Sequence, residues 1–373
     1  MIFWGLFYIS IGGLLLGVGL FIEHILNNKK VGKMLSVLFV FSVMFALASI
    51  KGINVGRDTQ AYIQAYNYLA NSGWSIIKYR SFEIGFSLFM KVFGKMHAPY
   101  QVFAFFLYFI VFASLGFSTY KLSKNPSVVG FVYFALIFPF GLSAQRQILA
   151  ASIFTLSLMF LSKKGIKNAL FYALFIIIAS FFHITTLAGL LLLPLKKIKI
   201  SNIAIGWLSF FLVVFYVVST PIYQVFVYNF APSSYYPTSA GRGLLFWAMF
   251  IIFITIYLFG WTNIPNTIWN KLTKKGDSLL IVSNSAQDKM FLLSSALALF
   301  FLSFIPVSDV FPRFYFTFGI GFCFLFAMIF SQIVNKKHKI IFVCLLFILC
   351  SLLMFFESVR GNGLDIWPYR TCF

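Results

Sequence analysis

Charge is scarce in this chain, and negative charge scarcest of all. Of 373 residues only 10% are charged, and the Lys and Arg total of 29 faces just 8 Asp and Glu. So few carboxylates leave little material for the mixed-charge surface of a soluble protein. Cysteine is nearly as rare. Cys323, Cys344, Cys350 and Cys372 show no Cys-x-x-Cys spacing, which argues against a disulfide framework or a thiolate metal cluster. There is no Gly-x-x-x-x-Gly-Lys phosphate loop, no Asp-x-Asp pair and no His-rich ligand set, so neither a nucleotide, a metal nor any other cofactor is expected. No internal repeat is visible, which counts against the related halves of an alternating-access transporter.

What is present is apolar. Hydrophobic residues make up 61% of the chain, Phe alone accounts for 52 positions, and the mean hydropathy is +0.94. Repeated apolar runs of about 20 residues, the length that crosses a bilayer as a helix, predict an all-α polytopic membrane protein forming one integral domain, 1–373. The run from Ile2 to Phe21 has no basic residue before it and ends in Glu-His rather than a small-residue cleavage site, so it reads as a first membrane helix.

The net charge of +21 is read by side rather than as a nucleic-acid signal. Lysines cluster in six short connections: Lys29, Lys30 and Lys33; Lys121 and Lys124; Lys163, Lys164 and Lys167; Lys196, Lys197 and Lys199; Lys271, Lys274, Lys275 and Lys289; Lys336, Lys337 and Lys339. Setting all six in the cytoplasm satisfies the positive-inside rule. Crossings then fall at 2–24, 34–50, 100–120, 127–143, 146–162, 201–219, 243–260, 290–306, 313–333 and 339–357. Residues 168–195, bracketed by lysines, read as a split or re-entrant pair turning outward near His183, giving 11 to 12 crossings at about 20 residues each. External segments span 51–99 and 220–242, and a cytoplasmic loop spans 261–289. Residues 84–96 are expected to form an external amphipathic helix with Lys91 and Lys95 on one face.

With this topology Arg57, Arg80, Arg146, Arg242, Arg313, Arg360 and Arg370 all fall outside or at outer helix ends. Orientation disfavours external Arg as much as Lys, so their retention points to a task needing arginine's planar fork of donors, the grip of an anionic, phosphorylated ligand. Arg146, in SAQRQILAA, lies between long apolar runs, where an ionisable group costs roughly 2.5–3.5 kcal/mol and marks a polar cavity. His183 follows at the outer turn in SFFHITTL. Arg313 follows Asp309 by four residues, so a structural ion pair competes with a ligand role. In INVGRDTQAY, Asp58 is placed to cap a helix carrying Tyr62 and Tyr66 on one face. Arg57 beside that helix start is unfavourable unless an anion joins it, which suggests a phosphate with a sugar stacked on the tyrosines.

GRDTQAY, the following EIGF, SAQRQILAA, FHITTL and PRFYF resemble, in order and spacing from Asn54 to Phe316, the EpsG family, a branch of the Wzy-type polysaccharide polymerases. The resemblance implies a multi-pass protein of the bacterial cytoplasmic (inner) membrane. It would join oligosaccharide units carried on undecaprenyl diphosphate at the outer face, with substrate choice in 220–242 and a chain-length regulator as partner. Such a transfer needs a stabilised leaving diphosphate and a base. Arg146, Arg313, Arg57 and Arg242 are expected to hold the diphosphate, Asp58 or His183 to serve as base with Glu83 in reserve, and Tyr62, Tyr66 and Gln147 to contact glycan. A lipid-linked-oligosaccharide flippase, an O-antigen ligase and a membrane O-acyltransferase are the competing readings.

Overall fold

A computed structural model of the protein describes residues 2–26, 28–80, 82–198, 200–230, 243–262, 266–267, 285–304 and 311–359. Arg242, Asp309, Arg360, Arg370, the tail of 220–242 and most of 261–289 lie outside the described residues. Among those described there is no β-strand. The helices are α1 Ile2–Ile25, α2 Lys29–Ser49, α3 Thr59–Asn71, α4 Ile84–Lys95, α5 Tyr100–Leu122, α6 Pro126–Leu136, α7 Phe138–Ser143, α8 Gln145–Leu161 and α9 Ile166–Ser180. A 3-10 helix Ile184–Leu191 leads into α10 Leu192–Leu195. The remainder are α11 Asn202–Phe230, α12 Gly243–Trp261, α13 Ala286–Leu302, α14 Phe311–Phe318, α15 Ile320–Gln332 and α16 Lys336–Val359. Six helices among the described residues are long and apolar enough to cross a membrane, and several shorter apolar ones accompany them. The chain is an all-α polytopic membrane protein.

Three helices form the centre. In α6, α8 and α15 nearly every residue is buried, as expected of helices apolar on all sides that are enclosed by others. α8 packs on α5, α9 and α14, α6 on α1, α2 and α15, and α13 on α14 and α15. Around them α1, α9, α11 and α16 present exposed Leu, Ile and Phe outward, the surface that lipid covers.

Some expected single crossings are broken. Residues 127–143 divide at Ile137 into α6 and α7, with Pro139 in the first turn of α7, where its missing N–H leaves no bond unmade. The 313–333 stretch divides into α14 and α15 at Gly319. The pair at 168–195 forms as α9 and a returning 3-10 leg. At 12 residues α4 is too short to span. Lys91 departs from the expected polar face. Lys91 is fully buried and donates to Ser72 Oγ (3.1 Å) and the carbonyls of Gly73 (2.5 Å) and Ile76 (2.5 Å). The carbonyls past the end of α3 need a donor, and that long-range demand turns the helix over.

The helices also sort the chemistry by end. Arg146 opens α8 and Lys163 follows its close; Lys167 opens α9 and His183 follows its close; Lys29 opens α2 and Lys51 follows its close. The lysine-bearing connections meet at one end, where Lys196 Nζ donates to the Lys163 carbonyl (2.6 Å) and Lys289 Nζ to the Lys196 carbonyl (2.9 Å). Among the described residues, the stretches that bear Arg57, Arg146 and Arg313 gather at the other.

Candidate functional site

The GRDT turn is built onto the end of α7. Gly56 has φ +95°, and a Cβ there would lie 2.6 Å from the Leu142 carbonyl and 2.9 Å from Ser143 Cα, so only glycine fits. Lys51, buried just past α2, donates to the carbonyls of Val55 (2.8 Å) and Leu142 (2.8 Å) and to Thr59 Oγ1 (2.7 Å). The Asp58 N–H reaches Ser143 Oγ at 3.3 Å. These bonds set Arg57 and Asp58 beside the junction that precedes Arg146. Burial pushes the Lys51 ammonium down to about 7, against the attraction of Asp58.

Asp58 does stand at the cap position of α3, yet its side chain makes no capping bond and is exposed. Capping therefore does not account for the carboxylate. Arg57 is exposed beside it.

Glu83 organises the centre of the site. Its Oε2 accepts from Arg146 Nη1 at 2.6 Å, and its Oε1 accepts from His183 Nδ1 at 2.9 Å and from the Ile184 N–H at 3.2 Å. One carboxylate thus joins α8, the α9 turn and the start of the 3-10 helix. Burial would raise its pKa. The hydrogen bond from His183 and the positive charge of Arg146 prevail and hold it at about 2. Ionised and with both oxygens engaged, the Glu83 carboxylate holds the three elements together. Because an ionised carboxylate only accepts, His183 must carry its proton on Nδ1, leaving Nε2 as the atom able to take one. Nε2 is buried and has no partner, as are Arg146 Nε, Gln145 Nε2 and Thr185 Oγ1.

Arg146 lies in the first turn of α8 and has a carboxylate partner. Its guanidinium also lies 4.2 Å from the Phe82 ring centroid. Tyr62, packed on Phe82 and Phe86, turns its phenol toward the same guanidinium. Tyr66 departs from its expected glycan role: its hydroxyl donates to the Ala98 carbonyl (2.5 Å) and its ring packs on Tyr100 and Phe103 in the core. Gln147 donates to the Arg313 carbonyl, tying α8 to α14, while the Arg313 side chain is exposed. Tyr100 OH donates to Gln145 Oε1 (2.9 Å).

Sequence reasoning missed Lys51, Gln145 and Tyr100. A signal for the first was available, since Lys51, Lys78, Lys91 and Lys95 are the lysines outside the six clusters, and two of these four prove to be buried donors.

Glycine also explains EIGF. The Gly85 and Phe86 N–H groups both donate to the Phe181 carbonyl (2.9 and 3.3 Å), and a Cβ at Gly85 would lie 2.7 Å from that oxygen. Gly85→Ala is expected to push α4 from the end of α9 and to destabilise by about 1–3 kcal/mol, read as a lowered melting temperature in nanodiscs. An unchanged melting temperature would mean that the two elements are not held together here.

Comparison with curated proteins and with solved structures gives no match. The EpsG family model matches residues 34–371, from α2 through every stretch that builds the site. By that match over nearly its whole length, the chain belongs to the EpsG family.

Proposed function

We propose that this protein is a polysaccharide polymerase of the bacterial cytoplasmic membrane, joining oligosaccharide units carried on undecaprenyl diphosphate at the outer face. Family membership supports a polysaccharide-polymerase-like role, the family including Wzy-type polymerases. The observation that carries the chemistry is the Glu83 carboxylate holding a cation, Arg146, and a base with a free nitrogen, His183.

In this reading the acceptor sugar hydroxyl attacks the anomeric carbon of the donor. The bond from that carbon to the diphosphate oxygen breaks, its electron pair leaves with the diphosphate, and the hydroxyl proton passes to His183 Nε2. Arg146, with the exposed Arg57 and Arg313, neutralises the leaving diphosphate in place of a metal. Asp58 and Tyr62 orient the acceptor. The described lysines at the opposite helix ends, among them Lys29, Lys163, Lys167 and Lys196, support an outward-facing site by the positive-inside rule.

The test is incubation of the purified protein in nanodiscs, with EDTA, with the undecaprenyl-diphosphate repeat unit, followed by separation of glycans by length. A ladder is expected. A single transfer product would indicate a ligase. Donor moved across a liposome bilayer without any new linkage would overturn the reading in favour of a flippase.

A further inference from the structure

Along its 13 residues α3 carries no charged side chain, although Arg57 and Asp58 precede it and Lys78 and Arg80 follow. Its exposed residues are Gln60, Ala61, Gln64, Asn67, Tyr68 and Asn71. Their three- and four-residue steps make one stripe along the helix, about 16 Å long from Gln60 to Asn71 at the rise of an α-helix. A side-chain amide both donates and accepts hydrogen bonds, as a hydroxyl does, and carries no charge to attract a phosphate. Such a face suits a ligand rich in hydroxyl groups.

An aromatic series joins this stripe to the site. Tyr68 is 49% exposed, and its ring lies 5.3 Å from that of the half-buried Tyr79. Tyr79 in turn lies 5.5 Å from the buried Phe82, whose ring carries the Arg146 guanidinium. The outward tyrosine of α3 is therefore Tyr68, whereas Tyr66 belongs to the core. The turn that bears Tyr79 is held at both ends: the Phe82 N–H donates to the Tyr79 carbonyl (2.9 Å), and the Tyr79 N–H reaches Ser87 Oγ on α4 (3.4 Å). Within it Arg80 has φ +44°, a conformation uncommon for any residue but glycine, and its guanidinium lies 5.3 Å from the Tyr79 ring centroid. Backbone of this kind persists where the surroundings over-determine it, and it clusters at ligand clamps. At the other end of the stripe Gln60 Nε2 donates to the Ile53 carbonyl (3.2 Å) and to Asn54 Oδ1 (3.1 Å), which seats the helix face against the residues leading into the GRDT turn.

We propose that the outer face of α3, from Gln60 through Gln64 to Tyr68, with Tyr79 at its edge, is a saccharide subsite that holds sugars of the glycan chain beyond the one that reacts. A sugar ring has an apolar C–H face and a rim of hydroxyls. The Tyr68 ring takes the first and the amides the second. A belt at lipid-headgroup level would share the aromatic ring but would carry Lys or Arg beside it, and α3 has neither. The glycan as ligand rests on the polymerase reading.

The experiment uses full-length protein in nanodiscs and, as probe, the oligosaccharide freed of lipid and diphosphate from the undecaprenyl-linked repeat unit. Its binding is titrated by saturation-transfer NMR for the wild type, Tyr68→Ala, Tyr68→Phe and Gln64→Ala. Tyr68→Ala is expected to weaken binding about tenfold, the upper end for a single aromatic contact, while Tyr68→Phe keeps the wild-type affinity and all variants keep the wild-type melting temperature. In the polymer assay Tyr68→Ala should shift the ladder to shorter glycans at an unchanged rate of first transfer, read as the two-unit product. Wild-type affinity in Tyr68→Ala would overturn the subsite and leave the polymerase reading standing. Quenching by brominated lipid of a fluorophore on Tyr68→Cys, in a background with Cys344 and Cys372 replaced by Ser, without oligosaccharide binding to the wild type, would overturn it in favour of a headgroup contact. Oligosaccharide binding that Tyr68→Ala weakens, in a protein that forms no polymer, would fail the polymerase reading and uphold the subsite.

Discussion

Glu83→Gln is expected to lower the rate of polymer formation by about two to three orders of magnitude, the range associated with disabling a positioned acid or base. The amide keeps the shape of the carboxylate and one acceptor oxygen, but it cannot serve Arg146, His183 and the Ile184 N–H together. Arg146 then stands against the Phe82 ring without its counter-charge. Removing one partner of a buried pair costs up to about 3–5 kcal/mol, and a smaller loss is expected because both side chains keep 14–16% exposure. The pH dependence fixes the sign. The folded pKa of Glu83 is depressed from 4.5 to about 2, so its contribution to stability is fully present above pH 4.5 and is lost as pH falls through 2. Acid melts of the wild type should therefore lose stability in that window, and Glu83→Gln should flatten the loss. A variant with full activity and an unchanged acid melt would show that the carboxylate bridge is incidental.

His183→Asn should be the purer catalytic lesion. The Asn amide can still donate to Glu83 Oε1 as Nδ1 does, which preserves the link to α9, but it offers no counterpart to the free Nε2. The expected result is a fall in kcat of about 10²–10⁴ with donor KM and melting temperature close to wild type. A rise in KM alone would assign the imidazole to binding and leave Asp58 as the base.

What could be read from the sequence was what depends on short range. Most helix positions and the turn near His183 between two lysine clusters follow from hydropathy and charge order, while the breaks at Ile137 and Gly319 do not show in those patterns. The site was legible as five stretches but not as a set of contacts. Glu83 lies 63 residues from Arg146 and 100 from His183, and no local pattern marks a carboxylate as their shared partner. For the same reason the sequence does not show that both of its oxygens are occupied. Lys91 and Tyr66 are buried, whereas helical spacing gives a face without saying whether that face turns inward. Their partners, the Ile76 and Ala98 carbonyls, lie in separate loops. Gly56 and Gly85 are required by close approaches to the Leu142 and Phe181 carbonyls, which no local pattern displays.

The most direct test of the account is a double-mutant cycle on polymer-forming rate, measured on purified protein in nanodiscs with Glu83→Gln, His183→Asn and the two combined. If Glu83 acts through His183, the loss in the double variant falls short of the sum of the single losses by about 1–3 kcal/mol, the coupling of groups in one network. Losses that add to within about 0.5 kcal/mol, as independent sites do, would contradict the claim that these two residues form one catalytic unit.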